Sequence, residues 1–412
     1  MTVSRNIVIV GGGPAGVFAA IEAKRRDPQA AVTLIAEEPC EPYERPPLSK
    51  AVLLGKAAAA DAPIAGPKGV AGHGVSLECD TRCTAIDPVA QEIVTASGRR
   101  FAYDALVIAT GSVVRQIPAL PLGAPRVHYL RTEAHARALA GELKNARHLC
   151  VIGGGLIGLE VAASATELGI EVTVIEVLPR ILARVCDEDT SARVDDAHRR
   201  HGVGLRLDTV LTHAQAEPDG LIALKTSANE TLIADLVVIG AGAVPDDRLA
   251  AAAGLRVDNG IVVDAQCRTS DPKILAAGDV ARFPGPHGLV RREDWRHAQD
   301  QGAVAGRNAA GASDEYRSVP SFWSEQFDLY IQGAGSRPAK PDQRVCRQGA
   351  GASQISFELT GPHVAYAVGI NAQRDMAVVR RLIERQVAVD PSALADPTRP
   401  LADLLKTKAA GR

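Results

Sequence analysis

Two glycine clusters are the parts of this chain whose residue types and spacing most directly imply chemistry: GGGPAG at residues 11–16 and GGGLIG at residues 153–158. Each contains the pattern GxGxxG, as Gly11, Gly13 and Gly16 in the first and Gly153, Gly155 and Gly158 in the second. In such a pattern the first glycine permits a tight turn, the second lets backbone approach a pyrophosphate, and the third lets helix and strand pack closely. The turn opens a helix N-terminus, which carries about half a positive charge and unpaired N–H groups and so suits the bridging phosphates of a dinucleotide. An acid about 20 residues further on accepts from the ribose hydroxyls. Glu37 lies 21 residues after Gly16, and Glu176 lies 18 after Gly158. One such motif alone is weak, because glycine turns also simply join a strand to a helix. Two copies with both acids in place predict two dinucleotide sites and an internal redox relay, with one cofactor held tightly and one exchanged; the bland alternative is a decayed duplicate.

The surrounding pattern supplies the elements that must position these turns. An apolar run at residues 7–10, a helix over 17–26 and a strand over 31–36 make one βαβ unit. The order recurs as strand 149–152, helix 159–168 and strand 171–175, with a repeat distance of 142 residues. The expected fold class is therefore α/β with two Rossmann-type dinucleotide-binding domains. Towards the C-terminus, strands at 354–359 and 364–370 and a helix at 376–385 predict a small α+β domain, with 390–399 a connection rich in Pro and Asp.

Length and composition set bounds on function. A chain of 412 residues implies two or three domains. With 23% charged residues and a net charge of -2, without basic runs, it gives no support to a nucleic-acid surface. The first strand begins after six residues and leads straight into glycines, without a signal peptide's long apolar region, so none is expected, and no apolar stretch approaches the roughly 18 to 20 residues of a membrane span. A cytoplasmic protein that does not cross a membrane is expected. Seven scattered cysteines are an odd count and no framework of disulfides. Cys79 and Cys83 would share a face of a single predicted strand over 75–86, a weak redox candidate. Without CxxC or HExxH, no metal site is expected in this chain.

PYERPPLSK (residues 42–50) is too rich in proline to continue the sheet. It is followed in order by YDALVIATGS (103–112), YLRT (129–132), ADLVVIGAGAVPDDRLA (234–250), AAGDVARF (276–283), REDWRHAQDQG (292–302) and FWSEQFDL (322–329). Over nearly its whole length the sequence resembles the FAD-dependent, NADH-dependent ferredoxin reductases that serve Rieske ring-hydroxylating dioxygenases and bacterial cytochromes P450. The resemblance implies a glutathione reductase-like fold, with an FAD domain at 1–111 and 236–315, an NAD domain at 112–235 and a C-terminal domain at 316–412.

It also implies roles. The first turn, with Pro14 and Ala15 between its glycines, would hold FAD together with Ala109, Thr110 and Gly111, and Glu37 would take the adenosine ribose. Gly278 and Asp279 would form the second FAD signature, with Asp279 accepting from a ribityl hydroxyl. Arg45, Lys50 and Arg131 would neutralise phosphate or polarise the flavin ring. Cys83 would touch adenine through its backbone, standing where the family usually has valine. Trp295, Ala298 and Trp323 would lie near the isoalloxazine, although a core role for either tryptophan is a serious alternative. Gly242 would mark the return of the chain to the FAD domain. The second turn, with Leu156 and Ile157, would bind NADH. Glu160 would face nicotinamide and flavin, and Lys50 would stabilise the reduced ring; the bland reading of Glu160 is an acid favoured by a helix N-terminus. The acid Glu176 is followed by Val177 and not by an arginine. A 2'-phosphate of about two negative charges against an unpaired carboxylate is unfavourable, so NADH is expected over NADPH. Arg180 and Arg184 stand close enough to leave that preference less than strict.

Disulfide reductases of the wider superfamily carry CxxxxC after the first βαβ unit, and related oxidases and coenzyme A disulfide reductases use one cysteine there. Leu48, Ser49 and Lys50 occupy that stretch here, so electrons must leave from the flavin. The leading expectation is electron delivery to a small, acidic [2Fe-2S] ferredoxin, with Arg291 and Arg292 as candidates for a basic docking face. A rubredoxin or other small-acceptor reductase of the same fold, and a flavoprotein sensing NADH in the manner of apoptosis-inducing factor, are the alternatives. Whether the chain is a monomer or a homodimer is left open.

Overall fold

The computed structural model describes residues 4–286 and 288–406. Its chain forms two compact units. The first comprises the segment ending at Arg45, Ala58–Val113 and Ala243–Ser318; the second comprises Pro46–Ala57, Val114–Gly242 and the segment starting at Val319.

The first unit is built on a five-stranded parallel sheet in the order Ile274–Ala276, Ala105–Ile108, Asn6–Val10, Ala31–Ile35, Ser76–Glu78. Strands covered on both faces read as continuous apolar runs, and Ile7 to Val10 and Ala105 to Ile108 are all buried. The helix Pro14–Arg26 starts three residues earlier than the apolar pattern alone suggests, because Gly13 is its N-cap and Pro14 fits the first turn, where no N–H partner is lost. Against it runs Trp295–Ala309. A Cβ on Gly302 would stand 2.2 Å from the Ala15 carbonyl oxygen, and one on Gly306 2.0 Å from that of Ala19, so glycine lets the two helices meet backbone to backbone.

The second unit repeats the arrangement. Its parallel sheet runs Val127–Tyr129, Leu236–Ile239, His148–Ile152, Glu171–Ile175, Gly204–Arg206. The helix Leu156–Glu167 follows the second glycine turn. The outer strand on the Leu236–Ile239 side is supplied by chain that precedes the βαβ unit, whereas in the first unit the corresponding strand, Ile274–Ala276, comes late. The same unit contains a five-stranded antiparallel sheet, Ser321–Gln326, Leu329–Gly335, His363–Ile370, Gln354–Thr360, Gln343–Gln348. One face packs Ala334, Phe357 and Ala367 against the helix Gln373–Glu384 through Met376, Val379 and Leu382. On the other side Ile331, Tyr366 and Val368 join the core of the parallel sheet.

Two local expectations change. The single strand over 75–86 is in fact two, Ser76–Glu78 and Cys83–Asp87, in different sheets, because Asp80 turns the chain at φ 47°. Cys79 and Cys83 therefore share no strand face. Within 390–399 a short helix, Pro391–Ala395, forms where Asp390 caps the amide of Ser392 and Pro391 opens the turn.

The glycine contacts give a paired test. Gly306→Ala meets a carbonyl that cannot move independently of its helix, and it should lower stability by about 2 kcal/mol or more. Gly141→Ala, in the helix Glu133–Leu143 with open space around it, should raise stability by up to about 1 kcal/mol. Denaturant melts of the two variants check both signs.

Candidate functional site

The two glycine turns are close geometric copies. Gly11 (φ 122°) donates its N–H to Ile35 O at 2.9 Å, and Gly153 (φ 113°) donates to Ile175 O at 2.8 Å. A Cβ on Gly16 would lie 1.8 Å from Gly11 O, and one on Gly158 2.1 Å from Gly153 O. At Gly13 and Gly155 a Cβ would meet nothing within 4 Å. These two residues cap their helices with the same extended backbone (φ -86° and -85°) and without a side-chain hydrogen bond. Each helix therefore presents open space before an N-terminus whose first amides no cap side chain serves, as an incoming phosphate requires.

The acids differ. Glu176 follows its strand directly and is buried; its Oε2 accepts from Gly154 N at 2.6 Å and its Oε1 from Leu178 N at 2.8 Å. By strand register its counterpart in the first unit is Ala36, whose Cβ lies 2.9 Å from a Cβ placed on Gly12. Glu37 is one residue further, its side chain 70% exposed, and it pairs with Arg82 at 3.6 Å. The neighbouring Glu38, passed over in the sequence reading, takes the hydroxyl of Tyr43 and the guanidinium of Arg45 at 3.3 Å. Arg45 thus has a carboxylate partner inside its own unit.

The rest of the first unit's candidates gather around Gly278. The hydroxyl of Thr110 donates to Asp246 O at 2.7 Å, and Gly111 (φ 71°) accepts from Asp246 N at 2.9 Å. Ser112, next in the chain, donates to the Asp279 carboxylate at 3.2 Å. Gly278 (φ 81°) gives its N–H to Gln301 Oε1 at 2.9 Å. Gln301 is fully buried, and its Nε2 has no partner among the described residues. An open turn, an uncapped helix and an orphaned buried donor together fit a dinucleotide in this unit. Ala109 and Ala298 are buried. Trp295 opens its helix half-buried, donating Nε1 to Glu44, with its ring edge-on to Phe18 at 6.1 Å. Burial raises the Glu44 carboxyl and the tryptophan hydrogen bond partly offsets this. Cys83 begins its strand half-buried, and burial pushes its thiol up to about 11.

In the second unit Lys50 stands 3.1 Å from Glu160, which is buried. Ser49 donates to the same Glu160 oxygen, Oε2, and Ser324 to Oε1 at 2.7 Å. The helix start accounts for where Glu160 lies, but its fixed geometry comes from partners remote in sequence. Arg131 is half-buried just ahead of Thr132, which caps Glu133–Leu143, and Trp323 is half-buried in Ser321–Gln326. Gly242 has φ 95°, and its carbonyl accepts from Arg115 N at 3.0 Å. Leu156 and Ile157 start the helix, with Ile157 48% exposed. Arg180 donates to Cys186 O, Asp187 O and Ala183 O, and is thereby committed to its own loop; Arg184 is exposed.

The docking candidates do not stand free either. Arg291 is 13% exposed, ion-paired with Glu293 at 2.6 Å and bonded to Asp279 O at 3.2 Å. Arg292 donates to Ser318 O at 3.3 Å, its guanidinium 5.5 Å above Phe283. The reason is local: Arg291 ends the hairpin strand Gly288–Arg291 and Arg292 follows it, which brings them to Asp279 O and the Phe283 ring. None of the seven cysteines is in a disulfide, and no group of three or more potential metal ligands occurs among the described residues. Nor is any helix there long and apolar enough to cross a membrane.

Beneath Gly278, His297 is buried and pairs with Tyr316 at 2.7 Å; burial lowers it to about 4, opposed chiefly by Asp279. Asp294 caps the helix at His297 N and is pushed by burial up to about 6. The neutral imidazole of His297 contributes stability that is complete above pH 6.5 and is lost as pH falls towards 4. Ionised Asp294 carries a cost present above about 6 and relieved as pH falls towards its unfolded value. Asp294→Asn keeps a capping side chain and removes only the second effect. Its melting temperature should fall more steeply than that of the wild type between pH 6.5 and 4; parallel curves would contradict the opposing signs.

Comparison with known proteins agrees with this geometry. Residues 5–302 match the family model for pyridine nucleotide-disulphide oxidoreductases, and residues 321–405 the reductase C-terminal domain. The ferredoxin–NAD(+) reductase component of the anthranilate 1,2-dioxygenase system from Burkholderia cepacia is 40% identical, the match covering 97% of this chain and 98% of that protein. Rhodocoxin reductase from Rhodococcus erythropolis is 37% identical, covering 95% and 92%. Putidaredoxin reductase, in its covalent complex with putidaredoxin, superposes with a TM-score of 0.92 over 99% of both chains at 33% identity. The chain belongs to the pyridine nucleotide-disulphide oxidoreductase family, within its group of ferredoxin–NAD(+) reductases that end in a reductase C-terminal domain.

Proposed function

We propose that this protein is an NADH-dependent flavoprotein reductase that passes single electrons to a small [2Fe-2S] ferredoxin feeding an oxygenase. The observation that carries the reading is the pair of matching open glycine turns, in a chain with Leu48, Ser49 and Lys50 where related disulfide reductases carry a redox cysteine. When bound, FAD supplies the chemistry that turns a two-electron hydride donor into a one-electron source. The FAD domain is assigned to 1–111 and 236–315, the NAD domain to 112–235 and the C-terminal domain to 316–412. A cytoplasmic location and an acidic ferredoxin belong to the same reading; a monomer and a homodimer both satisfy it.

The chain's own residues then have the following parts. Gly11, Gly13 and Gly16 bring the amides of Pro14–Arg26 to the FAD pyrophosphate, with Asp279 and Glu37 taking hydroxyl groups. Gly153, Gly155 and Gly158 do the same for NADH. Glu176 is already oriented by two backbone amides, so its charge is fixed where a 2'-phosphate would have to lie. The arginine closest in sequence, Arg180, points N–H donors at loop carbonyls, which favours its staying with its own loop over turning to bind that phosphate. Lys50 holds a positive charge that favours the reduced ring, and Glu160 fixes the ammonium in place.

The function is tested by supplying the FAD-loaded protein with NADH and either ferricyanide or a panel of [2Fe-2S] ferredoxins. Reduction of at least one ferredoxin at a rate comparable to ferricyanide is expected. Rapid ferricyanide turnover with no ferredoxin or rubredoxin reduced, accompanied by a long-lived reduced protein–NAD complex, would instead favour the NADH-sensing alternative. For cofactor choice, Glu176→Gln should lower the ratio of kcat/KM for NADH to that for NADPH by about tenfold, which is about 1.4 kcal/mol of discrimination. An unchanged ratio would place the selectivity elsewhere.

A further inference from the structure

The C-terminal sheet sends two buried polar side chains towards Glu160. Ser324 and Gln326 lie two apart on Ser321–Gln326 and so share a face, and both are buried in a strand whose intervening Glu325 is exposed. Ser324 donates to Glu160 Oε1 at 2.7 Å, Gln326 Nε2 donates to Ser324 Oγ at 2.9 Å, and Gln326 Oε1 is 2.9 Å from Nε2 of the fully buried His198. The polarity of this series is forced from one end. An ionised carboxylate can only accept, so Ser324 must donate to it; the serine lone pair then takes the amide N–H of Gln326, and the amide oxygen requires Nε2–H on His198. An amide in the middle is a poor conductor of protons but a good fixed dipole, so the series orients and does not relay.

With Ser49 and Lys50 on the other oxygen, Glu160 has donors on both oxygens, which hold the carboxylate in one orientation. We propose that Ser324, Gln326 and His198 are positioning residues of the redox site: through Glu160 they fix the place of the Lys50 ammonium, which makes the C-terminal strand part of the machinery for hydride acceptance. The proposal rests on the assignment of Lys50 and Glu160 made above. Removing the Ser324 donor leaves more of the carboxylate's negative charge uncompensated, which opposes adding electrons nearby and loosens the ammonium's anchor.

The test uses the full-length, FAD-loaded protein with Ser324→Ala, Ser324→Thr and Gln326→Leu. Three quantities are read: the rate of flavin bleaching at saturating NADH in stopped flow, the dissociation constant of NAD+ for the oxidised protein, and the two-electron midpoint potential. Ser324→Ala should slow bleaching about tenfold, the scale of one hydrogen bond to a charged group, and leave NAD+ affinity within about twofold. Its potential should become more negative by a tenfold change in the reduction equilibrium, about 30 mV for two electrons. Gln326→Leu should act in the same direction with a smaller effect, and Ser324→Thr, which keeps the hydroxyl, should restore all three values. If Ser324→Ala does not fold, Gln326→Leu carries the test alone. Unchanged rate and potential, slow bleaching at an unshifted potential, or a Thr variant as impaired as Ala would each overturn the proposal. A wild-type flavin that NADH does not bleach would instead remove the assignment on which the proposal rests.

Discussion

Everything in the proposed electron path depends on a steric constraint, the contact between the first and last glycines of each turn. A Cβ on Gly16 or Gly158 would fall about 2 Å from a carbonyl oxygen of the same turn, closer than any real side chain approaches. Only glycine lets the strand run into the helix at that distance, and only that distance leaves the helix N-terminus directly facing the space beyond Gly13 or Gly155. The parallel sheets, alike in the two units except for the origin of one outer strand, and in the first unit the close meeting of Pro14–Arg26 with Trp295–Ala309 support this geometry.

Around that shared frame the two units diverge in ways that suit different tasks. In the second, Glu176 is buried and held by the amide of Gly154 in the turn, the arrangement on which the proposed selectivity for an exchangeable cofactor rests. In the first, the register position is Ala36, and the acids Glu37 and Glu38 are engaged with Arg82, Tyr43 and Arg45 instead. Further support comes from below, where Gln301 fixes the amide of Gly278. A cofactor that is to stay bound can be gripped by many such contacts, whereas one that must leave is better served by a few decisive ones.

The sequence made legible what is local. Both βαβ units and the C-terminal strand pair at 354–359 and 364–370 could be read because periodicity and glycine spacing act over a few residues; Glu176 ends its strand as read, whereas the matching register position in the first unit is Ala36 and not Glu37. The turn at Asp80 was missed because a single Asp, though tolerated at positive φ, is a weaker mark than glycine, and so two strands were read as one. Arg291 and Arg292 looked like surface charge because nothing nearby in sequence shows that Asp279 O and the Phe283 ring wait for them. The clasp on Glu160 was least accessible of all: Ser49 and Ser324 lie 111 and 164 residues from it, and neither residue type signals a role alone.

The most direct test of the central claim is an anaerobic titration of the purified protein with NADH, followed by its absorption spectrum. A flavin spectrum bleached by about one equivalent of NADH, as one hydride per FAD requires, is the result this account predicts. A protein that cannot take up FAD, or one whose bound flavin is indifferent to NADH, would contradict it and leave the two glycine turns as scaffold.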